Sequence, residues 1–227
     1  MMIFNLPKEC RVDKNIPKES IYRNAEADEK FKRIFIDNVD KIRYEYALTY
    51  KNSNIERYIK DNERYDEIHF IRMVLKAKGK EKIISKLLHQ LIPKGTILIL
   101  EFEGEILISG VLKKIGNNRI TVEEIYNTGW LNNENEKLKD LDYPNLNSTN
   151  MKSFYESIIE KIRIINLSKD SENIEKKNID MLETLNKEIE ELKFLRKKET
   201  QINRIVEIQN KLMKKIKERN EILGKYL

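Results

Sequence analysis

Cysteine, histidine and tryptophan are almost absent from these 227 residues, which hold one Cys, two His and one Trp. A single thiol, Cys10, cannot form an intramolecular disulfide, and this fits a reducing, cytoplasmic setting. The two histidines, His69 and His89, sit apart in the chain. Together with Cys10 they fall short of the three or four clustered ligands a zinc site takes, so no metal and no cofactor is expected. Glycine is scarce, seven in all. Gly79 and Gly95 stand singly, and Lys76-Ala77-Lys78-Gly79-Lys80 carries charge without the spacing of a phosphate-cradling loop. No apolar run exceeds Ile97–Leu100, far below the roughly 20 residues that span a bilayer. Met1 to Leu6 lacks the apolar run of a signal peptide. No membrane partner is expected, and no order of Ser, His and Asp favours a catalytic triad.

Charge is plentiful. Lys and Arg number 44 and Asp and Glu 38, a net charge of +6, and charged residues make up 36% of the chain. Both signs are mixed throughout, whereas a dedicated duplex binder concentrates its Lys and Arg in a stripe. The balance permits nucleic-acid contact without demanding it.

Periodicity predicts an α+β domain over residues 1–168. Residues 1–24 read as an extended arm broken by Pro7 and Pro17, with Ile3, Phe4 and Leu6 available to pin it. Ala27, Phe31, Ile34, Phe35 and Val39 predict a helix over 25–39. Alternating Ile42, Tyr44, Tyr46 and Leu48 predict a strand, and Ile55 to Tyr58 a helical turn. Ile68–Lys76 is a near-continuous apolar strand with both faces covered. Ile83, Ile84, Leu87, Leu88, Leu91 and Ile92 give a helix over 80–92, closed by Pro93 and Gly95. Thr96–Phe102, a tight turn at Glu103-Gly104, Ile106–Lys113, a corner at Asn117-Asn118 and Arg119–Tyr126 then read as an antiparallel meander. The expected sheet is mixed or antiparallel, with about five strands and helices packed on it. After a polar stretch, Ser148 or Thr149 would cap a helix carrying Met151, Phe154, Tyr155, Ile158, Ile159, Ile162 and Ile165.

Residues 169–227 read as a long amphipathic extension, either a coiled coil or a helical hairpin folded near Lys197–Thr200. Steps of four and three mark a seam through Met181, Leu185, Leu192, Leu195, Ile202, Val206, Met213, Ile216 and Leu223. Its apolar positions are interrupted by polar ones. So narrow a seam on so charged a helix needs a partner helix, from this chain, a second copy or another protein.

Two further constellations can be weighed. Lys76, Lys78, Lys80 and Lys82 cluster at one strand-to-helix corner, and Lys113, Lys114 and Arg119 flank a turn in the meander. With Tyr44, Tyr46, Tyr126 and Trp130 as stacking faces, such a sheet edge could bind single strands, although such aromatics equally serve a core. Asp66, Glu67, Glu101 and Glu103 fall near strand ends. A magnesium-dependent nuclease would want an acidic-x-Lys triplet, and Glu101-Phe102-Glu103 lacks the lysine, so these read as strand-end and turn charges.

Several short motifs resemble the bacterial family known as domain of unknown function 4391. They are Phe4-Asn5-Leu6-Pro7, Ile16-Pro17-Lys18, Val39-Asp40-Lys41-Ile42-Arg43-Tyr44, Ile92-Pro93, Thr128-Gly129-Trp130-Leu131 and the stretch from Lys197 to Glu207. Tyr44 stands where that family leads one to expect tryptophan. The resemblance implies an accessory role beside helicases and DNA methyltransferases of restriction-like or anti-phage systems, and it carries over no catalytic residue. The expected protein is therefore a non-enzymatic subunit acting through protein contacts. A nucleic-acid-binding module and a metal-dependent nuclease are the alternatives.

Overall fold

The computed structural model describes residues 3–24, 29–60, 63–115, 120–199 and 201–223. The chain divides into two units, residues 1–166 and 167–227. In chain order the first contains β1 (Arg11–Asn15), α1 (Lys18–Asn24), α2 (Glu29–Asn38), β2 (Val39–Thr49), α3 (Tyr50–Ser53), β3 (Tyr58–Lys60), β4 (Glu63–Tyr65) and β5 (Glu67–Leu75). Then come α4 (Glu81–Leu91), β6 (Gly95–Phe102), β7 (Glu105–Ile115), β8 (Ile120–Asn127), β9 (Leu131–Asn132) and the start of α5 (Met151–Lys198).

The main sheet runs β1-β2-β5-β6-β7-β8, with β9 paired to β7. β5 and β6 are parallel and joined through α4, while the other pairs are antiparallel. The mixed α/β fold and the β6-β7-β8 meander match the sequence reading. The sheet is larger than the five strands expected. The additional edge strand β1 reads Arg-Val-Asp-Lys-Asn and is almost wholly exposed, so it carries no apolar alternation to betray it. Glu103 and Gly104 both take positive φ (47° and 80°), as the two central residues of a tight hairpin turn of the primed kind require.

Other local readings are corrected. Pro17 does not break a helix. It precedes α1 and its carbonyl accepts from Ser20 N at 3.0 Å, consistent with proline's tolerance at a helix start. Val39 opens β2 instead of closing α2. The helical turn expected over Ile55–Tyr58 is not formed: residues 55–57 take no regular structure, and Tyr58 opens a short strand, Tyr58–Lys60, paired antiparallel with Glu63–Tyr65. Asn150, not Ser148 or Thr149, caps α5, its side-chain oxygen accepting from Ser153 N at 3.0 Å. Ala27 and the Asn117-Asn118 corner lie outside the described residues, as does the side chain of Phe31.

Two cores flank the sheet. On one face the arm residues Ile3, Phe4, Leu6 and Cys10 pack with Phe70, Ile97, Ile99, Ile108 and the inward side of α5. Seven side chains of α5, from Met151 to Ile165, are buried there. Gly110 of β7 lets α5 come close, because a Cβ at that position would stand 3.1 Å from Ile159 Cγ1. The other face packs Phe35 of α2, Ile84 and Leu88 of α4, and Ile42, Ile71, Met73, Leu98, Leu100 and Leu107 of the strands. β5 is covered on both sides, as its continuous apolar character predicts.

The second unit is a helical hairpin. α5 ends at Lys198 and α6 (Ile202–Leu223) runs back along it. Leu185, Ile189 and Leu212 are buried in this unit, and Lys215 Nζ lies 2.8 Å from Glu188 Oε2. Of the two arrangements left open by the sequence, the hairpin is the one formed.

Candidate functional site

Strand alternation places Leu107, Ser109 and Lys113 of β7 on the sheet face that α4 covers. Lys113 is only 3% exposed. Its ammonium donates to Ile92 O and Lys94 O, both at 2.9 Å. These carbonyls lie just past the C-terminus of α4, where the helix dipole is negative and acceptors lack intrahelical partners. Burial pushes the Lys113 pKa down to about 7. Lys113 therefore holds the end of α4, and its ammonium is buried there instead of standing exposed on the predicted basic edge.

His89 is fully buried on the same helix. Its Nε2 lies 3.3 Å from Ser109 Oγ, and its Nδ1 has no hydrogen-bond partner among the described residues. Burial, with Lys113 adding to it, holds the imidazole well below its ordinary pKa. The inward side of α4 is Ile84, Ser85, Leu88 and His89, whereas the sequence reading placed Ile83 inward, and Ile83 is exposed.

A cleft of about 220 Å³ opens beside this cluster. Ile42 and Ile71 form its floor. Leu88, Leu91 and Ile92 line the α4 side, Ile16 and Ile21 the side of β1 and α1, and Ser20, Tyr44 and His69 supply polar groups. The rings of Tyr44 and His69 touch, with centroids 5.0 Å apart. His69 Nε2 lies 3.5 Å from Glu67 Oε2 and makes no hydrogen bond of normal geometry. Burial lowers the His69 pKa although Glu67 opposes it. Burial and Glu67 together push Tyr44 up to about 12. Glu67 is itself held below its usual value: burial opposes this, but Lys94, at 2.8 Å, and His69 outweigh it. An apolar cavity with a few converging polar groups of shifted pKa is the usual form of a small-ligand site. The sequence reading treated Tyr44 and His69 separately. The register of β2 against β5, which sets Tyr44 opposite Ile71 and His69 opposite Ala47 and so brings the two rings together diagonally, was the signal it lacked.

The remaining predicted residues are scattered. Lys78 pairs with Glu105 and lies 4.7 Å from the Trp130 ring. Lys80 and Lys82 are exposed nearby. These three stand at the β6–β7 turn end of the sheet, whereas Lys113 and Lys114 stand at the far end of β7. The two groups are separated by about eight residues of strand, roughly 26 Å, so they form no single edge. The side chain of Lys114 and all of Arg119 lie outside the described residues. The carboxylates do not converge either. Asp66 pairs with Arg64 before β5, while Glu101 pairs with Arg72 at 3.0 Å toward the end of β6. Among the described residues, no group of three or more His, Cys, Asp or Glu is placed to hold a metal ion.

On the hairpin, only part of the predicted seam turns inward. Leu185 is buried, Leu192 and Ile216 are half-buried, and Met181, Leu195, Val206 and Met213 are exposed. The side chains of Ile202 and Leu223 lie outside the described residues. A repeat counted through one uninterrupted helix loses its register where the chain folds back. On the return helix Leu212, one residue and about 100° from Met213, points inward. Near the fold, Lys193, Phe194, Arg196 and Lys197 line a shallow surface depression. Phe194 is 56% exposed and Leu195 52%, and Lys198 Nζ lies 4.2 Å from the Phe194 ring centroid.

No helix of the described residues is long and apolar enough to cross a membrane. No curated protein and no solved structure matches this chain. A family model does, over residues 4–219, and the chain accordingly belongs to the family described as Domain of unknown function (DUF4391).

Proposed function

We propose that this chain is a non-enzymatic accessory subunit that docks its helical hairpin onto an acidic, partly apolar surface of a larger DNA-processing protein. The observation that carries this is the segment Lys193–Lys198. Four cations there flank Phe194 and Leu195, two large side chains left in water. An aromatic and an arginine on one exposed apolar patch match the composition of interface hot spots, and surrounding cations steer an acidic partner. The family resemblance suggests a helicase- or DNA methyltransferase-type partner in a restriction-like or anti-phage system.

Titration of the purified chain against a co-encoded protein of that type tests the reading. Phe194→Ala and the pair Arg196→Glu/Lys197→Glu should each weaken binding at least tenfold, the pair more at low salt. Lys80→Glu/Lys82→Glu should leave it unchanged. Binding indifferent to the hairpin variants refutes the proposal. Nucleic-acid binding is the second reading, favoured by the exposed corner of Lys76, Lys78, Lys80 and Lys82. It predicts single-strand affinity that falls steeply with salt and is lost in Lys80→Glu/Lys82→Glu.

A further inference from the structure

The cleft between α1 and α4 plays no part in docking through the hairpin. The cleft is open to solvent on one side and holds about 220 Å³, room enough for a single aromatic ring, which an enclosed apolar cavity of about 150 Å³ already accepts. Seven of the ten described residues that line it are Ile or Leu. Tyr44 and His69 stand at its polar end. Tyr44 Oη makes no hydrogen bond among the described residues, and the buried His69 Nε2 faces Glu67 Oε2 at 3.5 Å without a hydrogen bond of normal geometry.

The charges around that end restrict the ligand's head group. Glu67 lies within electrostatic reach of both Tyr44 and His69, so a carboxylate beside these rings would meet a like charge. Lys94, ion-paired to Glu67 at 2.8 Å, and Lys113 also act on His69, so an ammonium would meet like charge as well. A neutral group that donates or accepts one hydrogen bond meets neither penalty. We infer that the cleft binds a small neutral molecule with one aromatic or branched apolar body and a single hydroxyl or ring N–H, which hydrogen-bonds Tyr44 and His69 while the isoleucines enclose the rest. This stands apart from the docking proposal and can fail without it.

Five of the described lining residues are isoleucines, so the test is a methyl NMR titration of the full chain, labelled at Ile δ1, with phenol and indole. The expected result is saturable shifts at Ile16, Ile21, Ile42, Ile71 and Ile92, with Ile158 on the opposite sheet face unmoved. Leu91→Trp, which fills the cleft, should abolish saturation. Ile21→Phe does the same from the opposite wall should Leu91→Trp not fold. His69→Phe should weaken phenol at least fivefold and leave toluene unchanged. Three results would overturn the inference: no saturable shift up to the solubility limit, saturation that survives both filling variants, or benzoate or benzylamine binding more tightly than phenol.

Discussion

Replacing Lys113 by methionine should remove a pH dependence that the wild type carries. The unfolded lysine keeps its proton up to an ordinary value of 10.5, whereas burial lets the folded one hold it only up to about 7. Between those values the unfolded chain binds more protons, so stability rises with pH across this window. The shift of about 3.5 pH units, at about 1.36 kcal/mol each, sets a ceiling near 5 kcal/mol. Over pH 7.5 to 9.5 the lysine should contribute about 2 to 3 kcal/mol of rising stability. Other groups act in the opposite sense. The Cys10 thiol is pushed from 9.0 up to about 11 and Tyr44 from 10.0 up to about 12. Both therefore lose stability for the fold as their unfolded counterparts deprotonate. Subtracting the Lys113→Met curve from the wild-type curve cancels these terms. The methionine leaves the Ile92 and Lys94 carbonyls short of a donor, a cost of about 1–3 kcal/mol that does not vary over this pH range. Urea unfolding at pH 7.5, 8.5 and 9.5 measures the difference. If the two proteins change in parallel, to within about 0.3 kcal/mol per pH unit, the ammonium is not held out of water and the account of the α4 cluster is wrong.

Three further outcomes follow from packing and hydrogen bonding. Gly110→Ala should cost about 1 kcal/mol and Gly110→Val about 3, since Ile159 and Ile162 of α5 already crowd the Cβ position at 3.1 and 3.3 Å; denaturant midpoints measure both, with unchanged m-values. Tyr155→Phe should lose about 1–2 kcal/mol, because the buried phenol donates to Val111 O at 2.8 Å and lies 3.3 Å from Thr96 O. Cys10 is buried and its thiol raised to about 11, so a thiol reagent at pH 8 should label it no faster than the protein opens; rapid labelling of folded protein would place the N-terminal arm elsewhere.

The sequence reveals most where hydrophobic patterning is strongest. β5, β6 and β7 are runs of Ile, Leu, Val and Met, and α5 repeats apolar residues from Met151 to Ile165, so their burial could be anticipated. β1 could not, because its stabilisation comes from backbone pairing to β2, and main-chain hydrogen bonds leave no trace in side-chain pattern. The β3–β4 hairpin is three residues on each side, too short for a two-residue period to stand out from a helical turn. The hairpin extension was visible as an amphipathic segment without proline. Its inward face was not, because a seam counted across the fold assigns the return helix the wrong side.

Lysines show why the site was harder to read than the fold. Lys78, Lys80, Lys82, Lys113 and Lys114 look alike as members of basic clusters, but a charge acquires its role from the element end it meets. Lys78 meets Glu105 and Trp130 at the exposed end of the sheet. Lys113 meets two carbonyls at a helix terminus that only the crossover from β5 to β6 brings to it. The two-residue period of β7 held the available clue, since it sets Lys113 on the side of Leu107 and Ser109, away from Ile106, Ile108 and Gly110. Alternation can thus show that a lysine faces inward. It cannot show what awaits it there, because its acceptors belong to residues about twenty positions away in sequence. The same limit applies to Tyr44 and His69. Each reads as an ordinary strand residue, and only the antiparallel register of β2 against β5 makes them the two polar walls of one cleft.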